Sequence, residues 1–271
     1  MLALTAAALA LHSSTHEPSA HADAVVPTNT CPAGFVRVPS GTFMMGSLDT
    51  EGDADEHPRH SLTLPGFCIQ RLEVTTLEYE ACINAGMCTA SGTDAMCNSQ
   101  QVGLRANHPI NCVDWNQAMT YCNYIGARLP SEMEWEYAAR GSDGRKYPWG
   151  NTAPTPRRLN ACGDECVAYA KREHPTDSKV AMYAGSDGFE ETAPGGSYPL
   201  GASPFGALDM AGNVYEWTSS PYCMYPQHTC QSQYRMYRGG GWYTEKSAAA
   251  ATRNGNVITE RSVVVGIRCV K

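Results

Sequence analysis

Twelve cysteines, the acid-flanked pair His57 and His60, and the carboxylates Asp209 and Glu216 are the side chains whose types and spacing suggest chemistry. Thiolates are soft ligands and nucleophiles, suited to copper(I), zinc or electron exchange. Carboxylates spaced along a loop gather hard cations, calcium above all. Cys162, Cys166 and His174 look like part of a zinc set, but their spacing is wrong for one, and the compartment expected below favours a disulfide. His57 and His60 lie beside Asp53, Asp55 and Glu56, a stretch that reads as a solvated loop rather than a metal cluster. The run Gly239–Gly241 is no dinucleotide or phosphate-loop fingerprint, and neither HExxH nor GxSxG occurs.

The cysteines first need a compartment. Leu2 to Leu11 is an apolar run too short to span a membrane, and Ala20 and Ala22 are small residues at peptidase-reading positions. Residues 1–22 are therefore expected to be a signal peptide, although a basic start is missing, with a polar linker over 23–32 and one domain over 33–271. An exported chain meets oxidising conditions, where cysteines pair. Charged residues make up 17% of the chain and it holds 25 Gly and 17 Pro, which predicts a loop-rich α+β fold. The net charge of −7 argues against a nucleic-acid or anionic-membrane surface and suits a bound cation.

Three helices are expected from their caps: Thr75 with Glu78, Asp114 with Gln117, and Ser131 with Glu134 each form the reciprocal capping pattern, and Gly86, Gly126 and Gly141 stop them. Phe35–Pro39 followed by Ser40–Gly41 and Thr42–Gly46 reads as a hairpin, and Leu62 to Val74 as further strand. Beyond Gly141 almost no helix is expected, only short strands near Tyr237–Trp242, Ala248–Arg253 and Val263–Val270. Loops of such length call for staples or bound ions. Local pairing is expected for Cys31 with Cys68, Cys162 with Cys166 and Cys223 with Cys230; spacing leaves Cys82, Cys88, Cys97 and Cys112 open. Trp115, Trp135, Trp149, Trp217 and Trp242 read as core rather than as a ligand cage.

Blocks in fixed order carry a resemblance. Phe35–Ser47, Asp55–His60, Glu73–Thr75, His108–Trp115, Ala127–Gly141, Tyr147–Asn151, Phe205–Trp217, Arg238–Trp242 and Gly266–Cys269 together resemble the sulfatase-modifying factor family, whose best-known members are the formylglycine-generating enzymes. The resemblance implies a loop-rich variant of the C-type-lectin fold. It implies a Cys122–Cys269 disulfide, while Ala138 or Ala139 and the Ala248–Thr252 run occupy the ground of a second family disulfide. It also implies oxidation of a peptide cysteine by oxygen at a copper(I) pair of cysteines. Here the two positions hold Thr244 and Ala249, the family serine is Gly241, and the first tryptophan of the GNxWEW block is Tyr215.

No thiolate can arise from a threonine or an alanine, so copper chemistry is not expected, and the pocket candidates become Tyr215, Gly241, Trp242 and Arg253. Calcium is retained as the expected cofactor. One implied set is Asp209, Gly212, Val214 and Glu216, and the other is Asn160, Ala161, Asp187 and Phe189, with Gly212, Val214, Ala161 and Phe189 supplying carbonyls. The expected role is binding of an extended peptide or small partner in the family groove. Its rivals are formylglycine generation by relocated cysteines such as Cys223 and Cys230, a divergent oxidation in the same pocket, and a structural module of a cell-surface assembly. The surroundings of Thr244 discriminate: a closed apolar pocket would end any catalytic reading, and a polar cleft would keep non-copper chemistry open.

Overall fold

A computed structural model describes residues 30–176, 178–225, 230–246 and 248–271. The expected signal peptide and most of the linker lie outside the described residues. Besides short 3-10 turns, the order is β1 (Phe35–Val38), β2 (Gly41–Met45), β3 (His60–Leu64), β4 (Phe67–Gln70), α1 (Thr76–Asn84), α2 (Val102–Arg105), α3 (Trp115–Tyr124), α4 (Glu132–Arg140), α5 (Asp164–Glu173), β5 (Tyr215–Cys223), β6 (Cys230–Arg238), β7 (Arg253–Val257) and β8 (Val265–Gly266). This is the loop-rich α+β fold expected. No helix among the described residues is long and apolar enough to cross a membrane.

All three expected capping boxes are present, on α1, α3 and α4. Each satisfies two backbone donors that a helix start otherwise leaves orphaned. The expected hairpin, by contrast, does not form. β1 pairs antiparallel with β4, and β2 with β3. Pro39 has no N–H to offer a ladder between β1 and β2, and all of β4 is buried, so it needs a partner on its edge.

α5 is the second departure from expectation. It has no side-chain cap, but Asp164 and Glu165 occupy its first turn and Lys171 and Arg172 its last, which complements the helix dipole. The Cys162–Cys166 disulfide ties its first turn to the preceding loop. Two of the late strands are also displaced from where they were expected, while β8 lies inside the expected Val263–Val270 segment. β6 ends at Arg238 because Gly239 and Gly240 turn through positive φ, 104° and 80°. The Ala248–Ala251 run then packs as buried loop rather than strand.

The main sheet runs β7-β6-β5-β8, with β8 parallel to β5. One core lies between α1, α3 and this sheet, around Tyr79, Ile110, Cys122, Trp217 and Ile267. A second packs α4 against β2 and β4, around Phe43, Ile69, Trp135 and Met210. Trp135 and Trp217 are completely buried, as their core reading requires. All twelve cysteines pair, as Cys31–Cys68, Cys82–Cys88, Cys97–Cys112, Cys122–Cys269, Cys162–Cys166 and Cys223–Cys230. Cys122–Cys269 joins residues 147 apart in sequence and fastens α3 to the last segment of the chain. Loop-closure entropy for that span is worth about 4 to 5 kcal/mol as an upper figure.

Candidate groove and cation loops

The turn after β6 places Thr244. Its N–H donates to the Gly241 carbonyl at 2.9 Å, and its Oγ1 accepts from the Gly241 N–H at 2.8 Å, so the hydroxyl is held by the glycine that replaces the family serine. Thr244 Oγ1 lies 3.4 Å from the Tyr215 hydroxyl, which also receives the Asn254 side-chain amide at 3.4 Å. Burial pushes the Tyr215 phenol above its ordinary pKa, so it stays a neutral hydroxyl. These groups, with Asp53, Lys179, Tyr243, Glu245 and Lys246, line a cleft of about 340 Å³. Thr244 therefore faces a polar cleft, not a closed apolar pocket.

Ala249 lines a second cleft of about 780 Å³, together with Glu51, Arg59, Arg140, Tyr147 and Asn151. Asp53 and Lys246 border both clefts, so the two adjoin as one groove. Of the other pocket candidates, Tyr215 lines the groove. Gly241 stands behind Thr244, and Trp242 is buried with its indole N–H 3.3 Å from the Val263 carbonyl.

Arg253 is elsewhere. It is buried, pairs with Glu132 at 2.7 Å, and donates to the carbonyls of Asp55 and Cys223. It borders a separate apolar cavity of about 520 Å³ with Met45, Leu62 and Met224. A guanidinium is kept in the interior only with such partners, which removes Arg253 from the Thr244 side. The pairs that surround it, Arg238 with Glu132 and Glu136, and Arg140 with Glu136, were not singled out in the sequence. Acidic residues on the face of α4 that also carries Trp135 were the available signal.

The loop before β5 curls through positive φ at Asp209, Gly212 and Asn213 and brings Asp209 and Glu216 of the first expected calcium set near Glu73. Its charge is unbalanced. Glu73, Asp209 and Glu216 are all buried, against the single buried guanidinium of Arg268. Glu216 is bound by Arg268 at 2.7 Å, Asp209 Oδ2 accepts the Gly196 N–H at 2.6 Å, and Glu73 accepts from Asn213 Nδ2 at 2.7 Å. Burial, joined by the charges of Asp209 and Glu216, holds the Glu73 carboxyl well above the usual range, and burial pushes Asp209 up to about 6. Proton uptake by these two raised carboxyls offsets part of the negative charge, and a divalent cation would offset it as well. Oxygens for one would come from Asp209 and the Gly212 and Val214 carbonyls, since Glu216 is already engaged.

The second set is also gathered, around a side chain. The Tyr183 hydroxyl lies 2.6 Å from Asp187 Oδ2, 2.9 Å from the Ala161 carbonyl and 3.0 Å from the Ala161 N–H. Two of the four implied donors are thus already hydrogen-bonded to a tyrosine, and Asp187 Oδ1 accepts from the Phe189 N–H. Asn160 Oδ1 and both carboxylate oxygens of Glu165 are buried without a partner. Burial pushes Asp187 up to about 6 as well.

The Asp53–His60 stretch is less solvated than expected. Glu56 is buried and accepts from Ser47 Oγ, and Asp55 accepts from the Tyr222 hydroxyl at 2.9 Å. Among the described residues no three His, Cys, Asp or Glu side chains form a metal-holding group, at the carboxylates Glu73, Asp209 and Glu216 as at His57 and His60.

The model of the "Sulfatase-modifying factor enzyme 1-like domain" matches residues 22–271. The formylglycine-generating enzyme of Mus musculus is 27% identical over 87% of this chain and 74% of that protein. The "Inactive C-alpha-formylglycine-generating enzyme 2" of Bos taurus is 28% identical over 87% of each. Among solved structures, PvdO from Pseudomonas aeruginosa superposes with a TM-score of 0.66 at 26% identity, covering 87% of this chain and 93% of PvdO. The order of capped helices, the curled sheet and these matches together make the chain a member of the sulfatase-modifying factor family.

Proposed function

We propose that this is an exported, calcium-binding member of the family that holds an extended peptide or small partner in the Tyr215–Thr244–Ala249 groove and does not oxidise cysteine through copper. The observation that carries the reading is the state of the sulfur: all twelve cysteines are in disulfides, and Thr244 and Ala249 stand at the positions where the resemblance puts the thiolate pair. Soft copper(I) has no thiolate to bind. Six disulfides support export, because such pairs persist in oxidising compartments. The charge excess at Glu73, Asp209 and Glu216 supports calcium, which when bound would supply compensating positive charge. Similarity to the bovine protein named as inactive supports loss of the oxidase.

In the groove this chain's own residues bind and orient. Tyr215, Thr244 and Asn254 present neutral hydrogen-bonding groups, and Lys179 lies over the Tyr243 ring, 3.8 Å from its centroid. The test is incubation of the protein with a peptide carrying a CxPxR segment, copper(I) and oxygen, read by mass spectrometry for the aldehyde. None is expected, and its formation would overturn the reading. The polar lining at Thr244 favours one second reading, a divergent oxidation in the same groove that needs no cysteine pair. Consumption of oxygen with a peptide or thiol, lost in Tyr215→Phe, would establish it.

A further inference from the structure

Arg59 is the one guanidinium of the groove that bonds to nothing among the described residues. Its Nε is buried without a hydrogen-bond partner, and it makes no ion pair there. Its neighbour is another cation. Arg140 uses Nη1 on the Gly46 carbonyl at 2.8 Å and on Glu136 at 2.7 Å, and Nε on the Arg145 carbonyl at 3.1 Å; its Nη2 makes no such bond. The Arg59 backbone passes the same Gly46, whose absent Cβ would lie 3.4 Å from the Arg59 Cα. Gly144, at positive φ, lets the backbone approach so closely that a Cβ there would stand 2.8 Å from Arg59 Nη2. Burial and the repulsion of Arg140 lower the Arg59 pKa from its ordinary value.

Two adjacent guanidiniums, one unsatisfied, in a cleft lined also by Lys146, are an arrangement that an oxyanion completes. The charge count decides which kind. The acids on this cleft are Glu51, paired with Lys146 at 3.5 Å, Glu56, which accepts from Ser47, and Asp53; the bases are Arg59, Arg140, Lys146 and Lys246. Four bases against three acids leave one positive charge, and Arg59 is the guanidinium without a bond, which matches a single negative charge. A dianion would meet three nearby carboxylates with too little compensation.

We propose that Arg59, with the Nη2 edge of Arg140, binds a ligand carboxylate in the part of the groove that Ala249 lines. The inference rests on the groove reading only for what the carboxylate belongs to: the side chain or free terminus of a peptide, or a small acid.

The test is NMR titration of the intact protein, following the Arg59 Nε–Hε signal, with N-acetylglycine, its uncharged amide N-acetylglycinamide, and inorganic phosphate. N-acetylglycine should shift the signal saturably and the amide should not. Arg59→Gln should weaken binding, followed at neighbouring backbone amides, at least tenfold, and Arg59→Lys less. Because Arg59 has no protein partner, Arg59→Gln should melt no lower than the parent, which a structural role would not allow. A parent that ignores N-acetylglycine, an equal response to the amide, unchanged affinity in Arg59→Gln, or tighter binding of phosphate would overturn the assignment. Thr244→Tyr separates the two readings through N-acetyl-triglycine. If Arg59 binds N-acetylglycine while the tripeptide is indifferent to Thr244→Tyr, the groove reading falls and the anion site stands.

Discussion

The Asp209–Glu216 loop and the Asn160–Phe189 loop lie back to back, joined by the Asn213 N–H on the Asn160 carbonyl at 2.8 Å, and they solve the same problem differently. In the first, three buried carboxylates face one guanidinium, so the hydrogen bonds are made and the charge is not balanced. In the second, a tyrosine hydroxyl stands among the oxygens and bonds to Asp187, while Asn160 Oδ1 and both Glu165 oxygens are left without partners. Residue spacing marks the loop in both cases. Whether a cation is wanted depends on what else reaches the centre.

The largest effect that could break this contrast lies in the first loop. Glu216→Ala strands the Arg268 guanidinium in the interior and should cost about 3 to 5 kcal/mol in thermal or urea unfolding. A loss under 1 kcal/mol would mean that the loop does not hold its charge as described.

Next comes pH. Asp209 has a folded pKa of about 6, above the ordinary 3.8, so the folded state holds its proton more tightly than the unfolded chain does. Its stabilising contribution is complete below about pH 4 and is lost as pH rises through 6. Chelator-treated protein should lose up to about 3 kcal/mol from this group between pH 4 and 7, and Asp209→Asn should flatten the profile. Asp187 slopes in the same direction, but added calcium should cancel only the Asp209 part.

Calcium itself should raise stability at pH 7 by about 2.7 kcal/mol at a hundredfold excess over Kd. The gain should vanish in Asp209→Asn and survive in Asp187→Asn, with one ion per chain by calorimetry. Two ions would show that Asn160 and Glu165 collect a cation beside the tyrosine. The smallest effect is Tyr183→Phe, which removes the one hydroxyl proton shared between Asp187 and the Ala161 carbonyl and should cost about 1 to 2 kcal/mol with or without calcium. Rescue of that variant by calcium would instead make the hydroxyl a stand-in for the ion.

What the sequence showed and what it hid divide along physical lines. Caps are local, and Thr75, Asp114 and Ser131 announced their helices because the reciprocal bonds span only four residues. Strand pairing is not local, which is why β1 was assigned to β2 rather than to β4. The Thr244 and Ala249 positions were legible through the resemblance, and the Cys122–Cys269 bridge with them. Arg59 and Tyr183 were not, since an unsatisfied guanidinium or a hydroxyl among carbonyls is defined by neighbours distant in the chain. Arg253 misled for the same reason: it lies close in sequence to the groove residues, but its partner is Glu132 on α4.

The last segment of the chain has a consequence for the order in which the fold can be completed. Lys271 exchanges two backbone hydrogen bonds with Cys68, Val270 does the same with Arg128, and the Cys269 carbonyl accepts from Gln70. β4 and the approach to α4 thus wait for partners far downstream in the chain. A growing chain can form its capped helices as it emerges, but β4 stays without that neighbour until residues 269–271 arrive. A chain in this half-finished state exposes a strand edge and remains threadable, which suits the export proposed above.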